Sequence, residues 1–308
     1  MSIGFIFPGQ GSQSIGMLAA LAEAHPLVLS TFKEASDALG YDLWQLVQAG
    51  PAEKLNSTEM TQPAMLTAGV ATWRVWQEQG GASPAVMAGH SLGEYTALVC
   101  AGSLGFADAI TLVSERGKLM QQAVPAGSGA MAAILGLDDD AVRGVCEEAT
   151  QADVVEPVNF NSPGQVVVAG DKGAVERATL IAKEKGAKRA VLLPVSVPSH
   201  CSLMKPAADE LAKRLASIEF KSPAITVINN VDVASPTDAD AICDALTRQL
   251  YQPVRWVEVI QAINSQGVET VIESGPGKVL AGLNKRIVKT MNALPVYDPE
   301  TLAAALSA

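Results

Sequence analysis

The sequence predicts an α/β fold in which a larger unit, built on a parallel sheet, carries a smaller inserted unit. Three observations predict it. Short apolar runs alternate with helical segments along most of the chain, the order that places helices on both faces of a parallel sheet. Residues 127–196 keep a different rhythm, β-α-β-β-α-β, the split unit of ferredoxin-like domains. The apolar run Val86-Met87-Ala88 enters a turn bounded by Gly89 and Gly93, and a helix-forming stretch follows.

In chain order, residues 2–7 read as a strand, and Pro8-Gly9-Gln10-Gly11-Ser12-Gln13 as a turn that passes close to something. A phosphate loop is a poor reading there, because no Gly-Lys-Ser/Thr follows. Helical segments come next, broken at Pro26 and closing near Gly40. Thr61-Gln62-Pro63 predicts the start of a long helix, with proline in its first turn and Gly80-Gly81 ending it. After the glycine-bounded turn, residues 107–123 predict a helix carrying Arg116-Gly117. The insert then reads strand 130–137, helix 138–150, strand 154–160, turn 161–164, strand 165–169, helix 172–185 and strand 189–195. The larger unit resumes with Pro198-Ser199-His200 and a helix through Leu215. A strand over 224–230 follows, ending in two asparagines, with helices over 238–250 and 256–266, a strand over 268–273 and a last helix after Gly275-Pro276-Gly277. The expected division is therefore a discontinuous catalytic domain, residues 1–126 and 197–308, around an inserted domain, residues 127–196.

Composition narrows the function. The chain of 308 residues is 48% hydrophobic and 18% charged, enough for a substantial core and unlike a disordered chain. No apolar run approaches the roughly 20 residues that span a bilayer, and the start MSIGFIFPGQG carries no basic leader. The four cysteines are scattered and form no C-x-x-C pair, which suits reduced thiols in the cytoplasm. A net charge of -10 argues against nucleic acid or a membrane surface, and an acidic partner would need a local basic patch.

Gly89-His90-Ser91-Leu92-Gly93 is a G-x-S-x-G turn in the strand–turn–helix setting that it requires, so the larger unit is expected to be α/β-hydrolase-like. Such a turn presents the Ser91 hydroxyl at a helix N-terminus, with the Leu92 amide free to donate to an oxyanion. A plain serine N-cap is the competing reading. A serine nucleophile needs a base, and the chain has 3 histidines. His25 lies in a helical stretch, and His90 is too close to Ser91 in a sharp turn to face it. His200 sits in an irregular loop after a strand, where function concentrates, and is the candidate base. No acid follows a strand convincingly between Ser91 and His200, so the partner that orients the histidine stays open.

Together these pieces resemble the malonyl-CoA:acyl carrier protein transacylases and the related acyltransferase domains of polyketide synthases. The matching residues are Phe7-Pro8-Gly9-Gln10-Gly11-Ser12-Gln13, Thr61-Gln62-Pro63-Ala64, Gly89-His90-Ser91-Leu92-Gly93-Glu94 and Arg116-Gly117 with Met120. They continue with Val158-Asn159-Phe160-Asn161-Ser162-Pro163, Pro198-Ser199-His200 and Glu273-Ser274-Gly275-Pro276-Gly277, in order over nearly the whole chain. The resemblance implies that Ser91 carries the acyl group and that His200 is general base and then acid. It implies that the main-chain carbonyl of Gln249 orients His200, and that the amides of Gln10 and Leu92 form the oxyanion hole. Arg116 would pair with the malonyl carboxylate, and Gln62, Met120, Asn161 and Ser199 would contact substrate. An always-charged planar guanidinium suits that carboxylate, and a buried arginine left unpaired by acetyl would disfavour it.

The same resemblance implies malonyl-CoA as substrate, phosphopantetheine brought by acyl carrier protein, no metal and no bound cofactor. It also implies a ping-pong cycle supplying malonyl carrier protein in the cytoplasm, and nothing demands more than a monomer. Carrier proteins of this kind are acidic, so Lys188-Arg189 on the insert and Lys285-Arg286 with Lys289 near the C-terminus are the docking candidates. Two other classes stand beside this one: a serine esterase or thioesterase on the same turn, and a non-catalytic acyl-binding protein.

Overall fold

A computed structural model describes residues 2–195 and 197–308; Ser196, the last residue of the expected insert, lies outside them, as does Met1. Nine strands are described: β1 (Ile3–Phe7), β2 (Val86–Gly89), β3 (Gly129–Leu135), β4 (Val155–Ser162), β5 (Gln165–Asp171), β6 (Arg189–Leu192), β7 (Thr226–Ile228), β8 (Thr270–Ser274) and β9 (Asn292–Val296).

Five of them form one sheet in the order β7-β2-β1-β8-β9, and every neighbouring pair in it is parallel. A parallel sheet is covered on both faces, so its strands are apolar throughout rather than alternating. All four residues of β2 are buried accordingly, and so are the last four of both β1 and β8. Two apolar clusters cover the two faces, one around Phe5, Phe7 and Met87, the other around Ile6, Ala88 and Trp256. The carboxyl ends of β1 and β2 lie side by side, with Phe7 paired to Gly89. The loops after these strands therefore meet, which is where open α/β sheets place their sites.

The other four strands form a sheet in the order β4-β5-β3-β6, antiparallel throughout. Its first and third strands are central, as the predicted split unit requires. Helices Asp139–Thr150 and Lys172–Glu184 pack on one face, against Ala132, Ile134, Val166 and Val168. The opposite face presents Met131, Val158, Val167 and Ala169 to Cys201, beside the His200 loop. Main-chain bonds join the sheet to the larger unit: Phe160 N donates to the Val254 carbonyl at 3.0 Å, and Val254 N to that of Val158 at 2.8 Å.

Several elements differ from expectation. The long helix is Thr58–Glu78, and Pro63 lies inside it rather than in its first turn. Ser57 begins the helix, since Met60 N and Thr61 N both donate to its carbonyl; Pro63 then deprives one further carbonyl of a donor, a local loss. Helices Leu43–Ala49 and Ala52–Leu55 were not anticipated. The turn expected over 161–164 is only Pro163-Gly164, because β4 continues through Ser162. The helix after Gly277, Val279–Ile287, is not the last element; β9 and the helix Pro299–Leu306 follow it. Pro295 hides the strand signal of β9, and is tolerated because β9 is an edge strand.

The turn after β2 leaves no room at its two glycines. A Cβ on Gly89 would fall on the main chain of Gly93, and a Cβ on Gly93 on the carbonyl of Phe7. Gly144, in the helix Asp139–Thr150, faces open space. Urea unfolding should therefore show opposite signs: Gly89→Ala losing about 3 kcal/mol or more by overpacking, and Gly144→Ala gaining about 0.5–1 kcal/mol.

Candidate active site

Ser91 sits at the tip of the turn with φ 52, a left-handed conformation that non-glycine residues rarely adopt. Asn230, the second of the two asparagines that end the β7 segment, holds it there. Its Nδ2 donates to the Gly89 carbonyl at 2.7 Å, and its Oδ1 accepts from Ser91 N at 2.7 Å. Ser91 N is thereby spent. Among the described residues neither the Leu92 nor the Gln10 N–H is donated to a main-chain acceptor, and both residues line the same cavity as Ser91. The loop after β1 and the turn after β2 thus supply two main-chain donors beside one hydroxyl.

His200 brings an imidazole to the hydroxyl. Its Nε2 lies 2.8 Å from Ser91 Oγ, and its Nδ1 lies 2.6 Å from the main-chain oxygen of Gln249. A carbonyl can only accept, so Nδ1 carries the proton and the Nε2 lone pair faces the serine hydroxyl. His200 is itself held at φ 68 by its N–H, which donates to the Leu250 carbonyl at 2.9 Å. Burial, and after it the positive charge of Arg116, push its pKa down to about 3, so the imidazole is neutral at ordinary pH. The other two histidines are elsewhere. His25 ends the helix Ala19–Ala24, with Glu78 4.0 Å away. His90 lies against Trp256, ring centroids 5.5 Å apart, and its Nε2 is 2.8 Å from Asn161 Oδ1.

Arg116 is 1% exposed, on the helix Phe106–Gln122. A Cβ on Gly117 would meet the main chain of Thr58 and Glu59, so the glycine lets this helix lie directly on Thr58–Glu78. That approach brings Arg116 Nη1 to Gln62 Oε1 at 2.8 Å, while Nη2 donates to Gln249 Oε1 at 3.0 Å and lies 3.4 Å from Ser91 Oγ. The guanidinium stands 5.3 Å from the Tyr95 ring centre, and its buried Nε has no partner. Among the described residues, no carboxylate pairs directly with Arg116. A buried cation with no carboxylate in direct contact, beside a hydroxyl in a cavity, has a fork open to an anionic group.

The cavity holding these groups has a volume of about 510 Å³ and runs between the two sheets, lined by Gln62, Met120 and Ser199 as well as by Met131 and Leu193 of the smaller unit. Asn161 departs from expectation: it bonds to His90 instead of lining the cavity, where Asn159 appears in its place. Alternation alone would put Asn159 and Asn161 on one face, but β4 is irregular here, with register shifts against β5 between Pro157 and Asn159 and between Phe160 and Ser162, and the two asparagines part company. The candidate docking residues Lys188, Arg189, Lys285, Arg286 and Lys289 are all exposed. Arg286 Nη2 donates to Gln165 Oε1 at 2.7 Å, and Gln165 and Arg189 both pair with Leu135. The two clusters thus flank one end of the smaller sheet, four residues along β3 from Met131 of the cavity, about 13 Å at the usual strand rise.

Sequence reasoning missed Asn230 and the buried Glu94. Glu94 Oε2 accepts from Asn230 N at 2.9 Å and from Gln249 Nε2 at 2.8 Å. Paired asparagines at a strand end were a visible signal for the first; a glutamate in the first turn of a helix gives none. Among the described residues, no group of three or more potential ligands could hold a metal ion, and no helix is long and apolar enough to cross a membrane.

The acyl transferase domain family matches residues 4–303 of the chain. The malonyl CoA-acyl carrier protein transacylase of Salmonella typhimurium is 64% identical over 303 residues, 98% of each chain. The crystal structure of an acyl carrier protein S-malonyltransferase from Vibrio cholerae superposes with a TM-score of 0.96 at 64% identity, covering 99% of each chain. A malonyl-transacylase in complex with a type II polyketide synthase acyl carrier protein superposes with a TM-score of 0.99 at 60% identity, covering 100% of this chain and 99% of the other. The serine turn, the paired histidine and the buried arginine therefore stand in a chain that belongs to the acyl transferase family, among the malonyl-CoA:acyl carrier protein transacylases.

Proposed function

We propose that the chain transfers malonyl from coenzyme A to the phosphopantetheine thiol of acyl carrier protein through an ester on Ser91, supplying malonyl carrier protein for fatty-acid synthesis. The single observation that carries this reading is Arg116: a buried guanidinium, without a carboxylate partner, 3.4 Å from the hydroxyl that takes the acyl group. A simple esterase has no use for such a cation, whereas malonyl differs from acetyl only by the carboxylate that it would hold.

In the proposed cycle Ser91 Oγ attacks the thioester carbon while its proton passes to His200 Nε2. The oxyanion accepts from the Gln10 and Leu92 amides. As the C–S bond breaks, His200 returns the proton to the leaving thiolate, and malonyl remains on Ser91. The carrier thiol then attacks the ester by the same path in reverse, giving its proton to His200 and leaving Ser91 as the hydroxyl. Gln62 and Gln249 hold the Arg116 fork, and Met120 and Ser199 bound the acyl group; Asn161 acts one step removed, through His90. Donor thioester and acceptor thiol sit on the same prosthetic arm, so one chain with one cleft suffices, and a cytoplasmic setting follows from the carriers.

The division into a catalytic domain (1–126 and 197–308) and an inserted domain (127–196) belongs to the same reading. Two separate sheets with their own apolar clusters support it. The pantetheine arm would enter between them, beside Pro194 and Val195.

Three measurements test the proposal. Intact mass after brief exposure to malonyl-CoA should show one malonyl adduct that is absent in Ser91→Ala and leaves on adding carrier protein. An adduct that decays as fast in water as with carrier would favour a hydrolase and overturn the reading. Because the base is active when neutral and its pKa is depressed to about 3, kcat/KM for malonyl loading should keep its value as pH falls from 7 to 5 in Glu94→Gln, which removes the other buried group of the site that titrates near 7; a free imidazole would titrate near 6.5. Reversing charge at Lys188, Arg189, Lys285 and Arg286 should raise KM for carrier protein in the unloading half-reaction while sparing loading from coenzyme A. Equal damage to both halves would end the docking assignment.

A further inference from the structure

We infer that Glu94 is a positioning residue: acting through the side chain of Gln249, it holds Arg116 and His200 in register with Ser91 and so sets the preference for malonyl over acetyl. This rests on the malonyl reading above and adds to it a residue that touches neither substrate nor reacting atoms.

Glu94 is 3% exposed, in the first turn of the helix that the Ser91 turn feeds. One oxygen, Oε2, takes both of its donors. The Asn230 N–H ties it to the residue that grips the serine turn; the Gln249 Nε2 ties it to the residue that serves both other groups. Gln249 is fully buried and fully used. Its main-chain oxygen accepts from His200 Nδ1 at 2.6 Å, its Oε1 accepts from Arg116 Nη2 at 3.0 Å, and its Nε2 also reaches the Ser91 carbonyl at 3.1 Å.

The amide can sit only one way round. Arg116 has donors alone, so it must meet the oxygen; Glu94 and the Ser91 carbonyl accept, so they must meet the nitrogen. With Glu94 gone, one of the two acceptors that fix the amide is lost, and the oxygen presented to Arg116 is no longer pinned. A glutamate paired directly with Arg116 would occupy its bidentate fork and exclude the substrate carboxylate. With an amide between them, the carboxylate offsets the buried positive charge while the fork stays open toward Ser91. Burial pushes the pKa of Glu94 up to about 7, and the hydrogen bonds from Gln249 and Asn230 and the charge of Arg116 hold it from rising further.

The test is a double-mutant cycle on the full chain, read as single-turnover acylation of Ser91 by malonyl-CoA and by acetyl-CoA. Glu94→Ala and Gln249→Ala should each lower the malonyl-to-acetyl rate ratio by about tenfold, the scale of one hydrogen bond to a charged group. The double variant should fall no further than the worse single, because both remove one linkage. Glu94→Gln, whose amide oxygen can take both donors, should recover most of the ratio, and with Gln249→Ala it carries the test if Glu94→Ala does not fold. Parallel loss of malonyl and acetyl transfer, or ratio losses that multiply in the double variant, would overturn the proposal. A wild-type chain that takes no malonyl onto Ser91 would instead sink the transfer reading itself, and this inference with it.

Discussion

The turn at Ser91 is the constraint on which the rest of the site depends. A left-handed φ at a serine costs about 1–3 kcal/mol and persists only where the surroundings over-determine it. Here they do so from three sides. Gly89 and Gly93 let strand and helix touch, Gly93 packs on the carbonyl of Phe7, and Asn230 bonds both the strand end at Gly89 and the tip itself. Because the turn rests on β1, the loop that leaves β1 must pass over the serine, and Gln10 is delivered with it. A hydroxyl, a helix N-terminus and a second strand's amide thus come from one close contact between neighbouring parallel strands.

Around that contact the site holds an arginine, a glutamate and a histidine, all buried, in an order that keeps each usable. Arg116 and Glu94 offset each other through the Gln249 amide, so no ion pair closes the arginine fork. His200 lies on the arginine side, which together with burial keeps it neutral. A main-chain carbonyl as its partner fixes the tautomer as an aspartate would, but adds no negative charge to draw in the substrate's proton or repel its carboxylate. A site that must admit an anion gains from this choice: a second carboxylate beside His200 would compete with malonyl for Arg116.

Much of this was legible in the sequence. Periodicity and turn residues gave the parallel sheet and the split unit, because the strands of the first are apolar throughout and the turns of the second carry glycine. Ser91 was readable because its conformation demands flanking glycines, and His200 because only three histidines existed. The orienting partner was not readable, since a main-chain carbonyl leaves no trace in residue type; it came only with the family resemblance. Asn161 was misplaced for a related reason: a motif says which residues travel together, not which face of β4 each occupies. The start of the long helix and strand β9 were misread where a proline signalled one thing and the packing allowed another, Pro63 inside a helix and Pro295 on an edge.

A base held neutral by its surroundings suits transfer in both directions. Loading from coenzyme A and unloading to carrier protein are one step run in opposite directions, so every group arranged for the first serves the second. Hydrolysis is a different step, in which water replaces the thiol. A thiol, with a pKa near 8.5, is far more acidic than water at about 15.7 and needs less help to attack. At the ester, therefore, the thiol is the better nucleophile wherever both have access. The apolar lining from Met120, Met131 and Leu193 adds the second barrier by offering a stray water few partners. A thiol that needs little activation and a lining that offers water few partners both favour transfer over hydrolysis.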